Sequence, residues 1–104
     1  MWTLRSLVHA DGSVVTIEDP SAFTLTLTDD GKLQARADCN RATGGYTISG
    51  NRLSVGPIAS TKAYCASAPL DDQYLTLLSG ENVVALSGAS LQLSSPRGAL
   101  RFGR

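Results

Sequence analysis

The sequence predicts an α+β fold: a curved antiparallel sheet or partly open β-barrel of about eight short strands, with one α-helix at about residues 68–79. Three observations predict this class. Apolar and polar residues alternate through most of the chain, as in strands with one buried face. Turn residues separate these segments at short intervals. Helical spacing appears only after Cys65, and 104 residues suit one domain over 1–104.

The first part of the chain predicts two pairs of strands. Residues 2–8 and 14–17 are apolar at close to every second position, and a turn-forming segment separates them. Residues 23–28 alternate Phe or Leu with Thr, which is typical of a strand with one buried face. Gly31 then allows a tight turn, and residues 33–37 complete a hairpin.

A loop and a second hairpin follow. Residues 40–45 are predicted to form the loop, and residues 46–49 and 52–55 form the hairpin around a Gly-Asn turn. The apolar residues of its two strands are expected to face each other: Tyr46 and Ile48 on one strand, Leu53 and Val55 on the other.

The helix is predicted from a stripe of apolar residues. Four of them recur at the spacing of one helix face: Leu70, Tyr74, Leu77 and Leu78. Ser67 is suited to cap the helix, Pro69 to its first turn, and Gly80 to its end. The local signals therefore agree on a helix at about 68–79.

The chain closes with three short strands at 82–86, 90–94 and 99–102. So many short antiparallel strands must curl to share one core and hide their edges, which favours a barrel or bent sheet over a flat one. The larger aromatic residues are expected to pack in this core or at its rim: Trp2, Tyr46, Tyr64, Tyr74 and Phe102.

Composition excludes several classes of partner. Nine basic and nine acidic residues give a formal net charge of zero, so the chain has no overall positive field to attract nucleic acid. No stretch approaches the roughly 20 apolar residues of a membrane-spanning helix. The chain enters strand-like sequence directly, without a secretory signal, so its compartment must be inferred in another way.

The two cysteines, Cys39 and Cys65, lie 26 positions apart. With His9 as the only histidine, a four-ligand Cys/His zinc site is excluded, and the spacing is not that of a Cys-x-x-Cys redox motif. One internal disulfide and two buried thiols both remain open, because exported proteins favour the bond and cytosolic ones the thiols.

Nothing in the sequence assembles a catalytic or metal site. Ser60 or Thr61 could supply a nucleophile, but His9 is remote in sequence, and hydroxyls that cap the backbone are the simpler interpretation. Two pairs of acidic residues are explained by a turn and by a helix dipole: Asp29-Asp30 and Asp71-Asp72. We therefore predict no enzyme activity, no metal and no cofactor.

Three segments together resemble the META domain, or HslJ-like, family. The first runs from Ala37 to Tyr46 and contains Cys39-Asn40-Arg41, followed by Gly44 and Tyr46. The others are Leu53 to Thr61, which ends in Ala-Ser-Thr, and Ala63 to Cys65. Trp2 and the helix before paired C-terminal strands also fit the family pattern. This chain has Ala37 and Asp38 where many members have glycine, so its backbone is less free there.

The resemblance implies a small α+β domain of the bacterial envelope, periplasmic or associated with the outer membrane, in a family whose molecular function is not established. It implies a monomeric, non-enzymatic binding or stress-related accessory module. The partner would be an unknown protein or a small apolar or lipid ligand. An alternative role is that of an inhibitor or chaperone-like accessory of cell-wall proteins.

The resemblance also bears on particular residues. An envelope location supplies an oxidising compartment, which favours a disulfide between Cys39 and Cys65. Six residues of the family motif are candidates for structural or recognition roles: Asn40, Arg41, Gly44, Tyr46, Ser60 and Thr61. The residue types themselves suggest that the Asn40 side chain hydrogen-bonds to nearby backbone, and that Arg41 is solvated.

Overall fold

Antiparallel strands enclose the core in the computed structural model, which describes residues 1–104. The strands are β1 (Trp2–His9), β2 (Val14–Thr16), β3 (Phe23–Leu27), β4 (Lys32–Ala37), β5 (Asn40–Ser49), β6 (Arg52–Val55), β7 (Ala59–Ser60), β8 (Gly80–Ser87), β9 (Ser90–Ser95) and β10 (Gly98–Gly103). The helix α1 (Leu70–Leu78) precedes β8, and a short 3-10 helix (Pro20–Ala22) precedes β3. No helix of the protein is long and apolar enough to span a membrane.

Eight of the ten strands close into a barrel, in the order β1-β3-β4-β5-β6-β8-β9-β10, with β10 returning to β1. The short strands β2 and β7 lie outside this ring, paired with β1 and β5. The predicted antiparallel barrel of about eight strands is therefore confirmed, but it is closed, so the expectation that it is partly open is wrong. Closure depends on β1, which pairs with β10 along one edge and with β3 and β2 along the other.

Closure brings the backbones of β1 and β10 very close together at Gly98. This glycine has φ +145°, and a Cβ placed on it would lie 2.2 Å from the carbonyl oxygen of Val8. Neither that conformation nor that contact is open to other residues. The sequence marks this glycine only as part of a turn, which explains why closure could not be predicted from it.

The prediction of a loop at 40–45 is wrong, because these residues form the first half of β5. They pair in register with β4, from Ala37 opposite Asn40 to Lys32 opposite Gly45. Asp38 has φ +55°, a conformation that suits the tight turn between the two strands. Burial alternates as the strand requires, although the inward residues are an amide and an alanine: Asn40 and Ala42.

The helix begins later than predicted, at Leu70, and ends at Leu78. Ser67 does not cap it with its side chain, and the Ser67 Oγ atom is buried without a hydrogen-bond partner. Gly80 follows the helix with φ +79°, as predicted, and begins β8.

The helix stripe contributes three residues to a core of 19 buried apolar residues. Tyr74, Leu77 and Leu78 are buried, and Leu70 lies partly buried at the margin. The ring of Tyr74 makes edge contacts with two phenylalanine rings at centroid distances of 5.9 and 6.2 Å: Phe23 and Phe102. The helix thus lies across the barrel end where β3 and β10 begin.

Outside this core, the second hairpin has the predicted register, with Tyr46 opposite Val55 and Ile48 opposite Leu53. Ile48 is nevertheless exposed, because it lies near the end of the hairpin. Tyr64 is 90% exposed, so the expectation that it packs in or around the core is wrong.

Candidate functional site

The family motif is centred on a bond between Cys39 and Cys65. The two cysteines form a disulfide with a Cα–Cα distance of 5.5 Å. Cys39 is exposed in the turn between β4 and β5, whereas Cys65 is buried in the segment that leads to α1. The bond therefore ties the barrel wall to the approach of the helix.

The Asn40 side chain makes a second connection beside the disulfide. Its amide is buried, and Nδ2 donates to the Ala63 carbonyl at 2.9 Å and to Asp71 Oδ2 at 3.2 Å. Its Oδ1 accepts hydrogen bonds of 2.9 Å from the Thr61 hydroxyl and from the Ala63 N–H. A buried amide is costly unless it is paired, and this one is paired on both atoms. It joins β5, residues 61–63 and α1.

Thr61 extends the same network toward Arg41. Its Oγ1 accepts a hydrogen bond of 3.0 Å from the Arg41 N–H, and its own N–H donates to the Arg41 carbonyl at 3.0 Å. Ser60 lies opposite Ala42 in the pairing of β7 with β5. The hydroxyl of Thr61 is thus engaged with backbone and with Asn40.

Gly44 and Tyr46 lie further along β5, away from the disulfide. A Cβ on Gly44 would lie 3.3 Å from the Pro57 carbonyl oxygen, so glycine here allows the 57–58 segment to approach. The Tyr46 hydroxyl donates to the Thr28 carbonyl at 2.6 Å. The structure therefore brings Cys39, Asn40, Thr61 and Cys65 together. Gly44 and Tyr46 make their contacts elsewhere.

His9 and the two candidate nucleophiles, Ser60 and Thr61, line different hollows of the surface. His9 lines one of about 390 Å³ with Asp72, Thr76 and Arg97. Ser60 and Thr61 line another of about 130 Å³ with Asn40 and Lys62. The structure does not assemble the hydroxyl–histidine pair that nucleophilic catalysis by Ser60 or Thr61 would require.

A larger hollow of about 630 Å³ lies on the outer face of β3, β4 and β5. We call its six central residues the threonine–arginine face. They form two rows across the three strands, the first Thr24, Arg36 and Arg41, and the second Thr26, Gln34 and Thr43. The sequence analysis did not predict this face as a candidate site. Its only sign in the sequence is the alternation of threonine in residues 23–28, which indicates a polar outer side for β3.

The polar groups of the threonine–arginine face are largely unused within the protein. Arg36 donates from Nε to the Asp38 carbonyl at 2.9 Å, and the other five side chains make no hydrogen bond in the structure. The protein has a single ion pair, between Arg52 and Glu81, so Arg36 and Arg41 have no carboxylate partner. Two arginines therefore face each other on neighbouring strands without neutralisation.

Comparison with known proteins gives a family and two similar structures. The pattern of the META domain family matches residues 1–104. An NMR structure of a protein from Burkholderia xenovorans is similar, with a TM-score of 0.78 and 26% identity over 99% of this chain and 79% of that one. A second NMR structure has a TM-score of 0.70 and 20% identity over 98% of this chain and 86% of that one, which shows a shared fold. None of the curated proteins compared with this chain matches it.

Proposed function

This chain belongs to the META domain family, and we propose that it is a monomeric, non-enzymatic binding module of the bacterial envelope that recognises a partner protein through the threonine–arginine face. The META domain is not a known enzyme family.

The disulfide supports the location. Bonds such as that between Cys39 and Cys65 persist in the periplasm and outside the cell, and are rare in the reducing cytosol. Together with the envelope location that the family implies, this favours a domain that works beyond the inner membrane.

The observation that supports the surface is that five of the six side chains of the threonine–arginine face make no hydrogen bond within the protein. Nineteen buried apolar side chains form the core inside the barrel, so a small apolar or lipid ligand would have to displace packed side chains there. The threonine–arginine face instead presents hydroxyl, amide and guanidinium groups from three adjacent strands. The sheet fixes the backbone positions that carry these groups, so binding has to restrict only their side chains. An inhibitor or chaperone-like role would use the same kind of surface.

The two arginines define the chemistry of the partner. Arg36 and Arg41 are directly opposite on β4 and β5, an arrangement in which like charges repel. A carboxylate placed between them would relieve that repulsion and accept strong, charge-assisted hydrogen bonds. We therefore expect an acidic segment of a partner protein to bind here.

An NMR titration with an acetylated hexaglutamate peptide tests this proposal. We expect shifts in the amides of Thr24, Thr26 and Thr43 that weaken as salt is added. Arg41→Gln should weaken binding about two- to fivefold, whereas Arg52→Gln, a matched exposed strand arginine, should not.

Two results would contradict the proposal. One is the absence of shifts at millimolar peptide, and the other is equal binding by wild type and Arg41→Gln. Polygalacturonate serves as a parallel probe, because a clear preference for it would assign the face to an acidic glycan rather than to a protein.

A further inference from the structure

The outer edge of β2 has no strand partner. β2 pairs only with β1, with Val15 opposite Leu7. Ile17 also donates its N–H to the Arg5 carbonyl at 3.0 Å. Because hydrogen-bonded positions alternate along an antiparallel pair, the backbone groups of Val14 and Thr16 face away from β1. Both residues are exposed, so this short edge is open to another strand.

A groove of about 450 Å³ runs beside this edge, lined in part by β2 itself. We call it the β2 groove and define it by three apolar and three acidic residues: Ile17, Phe23 and Leu70, with Glu18, Asp19 and Asp38. No lysine or arginine lines it. An apolar wall with acidic groups is complementary to the long aliphatic stem and charged head of a basic side chain.

Asp38 is held in place from both sides of the β2 groove. Its N–H donates to the Ala22 carbonyl at 2.8 Å, and its Oδ2 accepts from the Ser67 N–H at 3.0 Å. It is the only residue other than glycine with positive φ. Its other carboxylate oxygen makes no hydrogen bond within the protein. A fixed carboxylate with a free oxygen is ready to bind a cation without further ordering.

We propose that the edge of β2 binds an extended peptide segment that carries a lysine, with the peptide backbone added to the sheet and the lysine side chain in the β2 groove. Edge addition supplies hydrogen bonds that do not depend on sequence, while an adjacent pocket selects one side chain. This site shares no lining residue with the threonine–arginine face and has the opposite charge, although Arg36 of that face donates a hydrogen bond to the Asp38 carbonyl.

The test uses peptides capped at both ends, with the sequence Thr-Val-Lys-Val-Thr and a matched version with Glu in place of Lys. We expect the lysine peptide to shift the amides of residues 14–18 in a saturable way. The Glu version should bind at least about threefold more weakly. A lysine peptide with N-methyl groups on the edge-facing amides should also bind more weakly, because it lacks the donors that pair with β2.

A protein variant tests the carboxylate separately. Asp38→Asn keeps an acceptor for the Ser67 N–H and tolerates positive φ, so the turn is expected to survive. It should weaken binding of the lysine peptide at least about threefold, whereas Glu81→Gln, an exposed acid on β8, should leave binding unchanged.

Three results would overturn the proposal: no shift at residues 14–18 with millimolar lysine peptide, equal binding of the Lys and Glu peptides, or full binding by the N-methylated peptide. If Asp38→Asn misfolds, the peptide comparisons on the wild-type protein still decide. The hexaglutamate titration is read at the amides of Thr24, Thr26 and Thr43, none of which lines the β2 groove, so either proposal can fail without the other.

Discussion

The hydroxyl of Tyr74 donates a hydrogen bond of 2.9 Å to the backbone carbonyl of Thr24. Tyr74 is fully buried on α1, and Thr24 lies on β3. One phenolic group thus fixes the helix to the barrel wall, and its burial raises the pKa of Tyr74 above the ordinary value near 10.

Ionisation of Tyr74 should lower the stability of the folded protein at alkaline pH. Because its pKa is higher in the folded than in the unfolded state, its contribution is complete below about pH 10 and is lost as the pH rises further. We expect the free energy of unfolding to fall above that pH, by up to about 1.4 kcal/mol per pH unit from this group. Denaturant unfolding between pH 8 and 11 measures it.

Tyr74→Phe should cost about 1 kcal/mol at neutral pH and flatten the alkaline decline. Tyr64→Phe is the control, because that side chain is exposed. Identical alkaline declines for wild type and Tyr74→Phe would refute the prediction.

Asn40→Ala should destabilise the protein by about 1–3 kcal/mol. The change leaves the Ala63 N–H and carbonyl without the partners that the amide provides. Gln34→Ala removes an amide from the exposed outer face and should cost less than about 0.5 kcal/mol. Chemical denaturation of both variants checks the prediction, and equal stabilities would show that the Asn40 network contributes nothing.

Leu77→Ala should cost about 2–5 kcal/mol, because it removes a buried side chain between α1 and the barrel. The matched control is Leu86→Ala, since that leucine is 64% exposed on β8. A melting temperature unchanged in Leu77→Ala would mean that the stripe does not hold the helix.

Gly98→Ala should open the seam between β1 and β10 and cost at least about 3 kcal/mol. The added Cβ would meet the Val8 carbonyl oxygen in a conformation that alanine rarely adopts. Gly88→Ala is the control, because it also has positive φ, at +57°, but has open space around it, and should cost about 1–2 kcal/mol. Amide hydrogen exchange at Val8, whose backbone faces β10, should accelerate only in Gly98→Ala.

Reduction of the bond between Cys39 and Cys65 should cost about 3 kcal/mol, because it frees a loop with a sequence separation of 26 in the unfolded chain. Alkylation of the unfolded protein should label neither cysteine without reductant and both with it, as intact mass will show. The Cys39→Ser/Cys65→Ser variant should be destabilised to a similar extent. Labelling of both cysteines without reductant would disprove the bond and remove its support for an exported protein.

The sequence predicts those strands and helices whose own residues show a regular spacing of apolar side chains. Residues 23–28 alternate regularly, and the stripe from Leu70 to Leu78 has helical spacing, so both elements are confirmed in type, although the helix begins at Leu70 rather than at about residue 68. The first half of β5 could not be found this way. Its inward positions hold Asn40 and Ala42, and only pairing with β4 makes an extended conformation favourable.

In the candidate site, too, the features that depend on distant segments could not be predicted. The residue type predicts that the Asn40 side chain hydrogen-bonds to nearby backbone, yet its partners Ala63 and Asp71 lie 23 and 31 residues away in the chain. The threonine–arginine face depends on the register of three strands, which places Arg36 opposite Arg41. Strand register is determined by how two strands pair, so it cannot be predicted from the sequence of either strand alone.

The pairing of β1 with β10 also sets the order of folding. Thr3 lies opposite Gly103, and the Arg104 guanidinium stacks 4.6 Å from the Trp2 ring centroid. Contacts this distant in sequence are slow to form, because a long stretch of chain must first lose its freedom. A nascent chain that has not reached β10 leaves one edge of β1 unpaired, so the barrel can close only after synthesis of its last strand. Until β10 pairs with it, that edge of β1 is open to other strands.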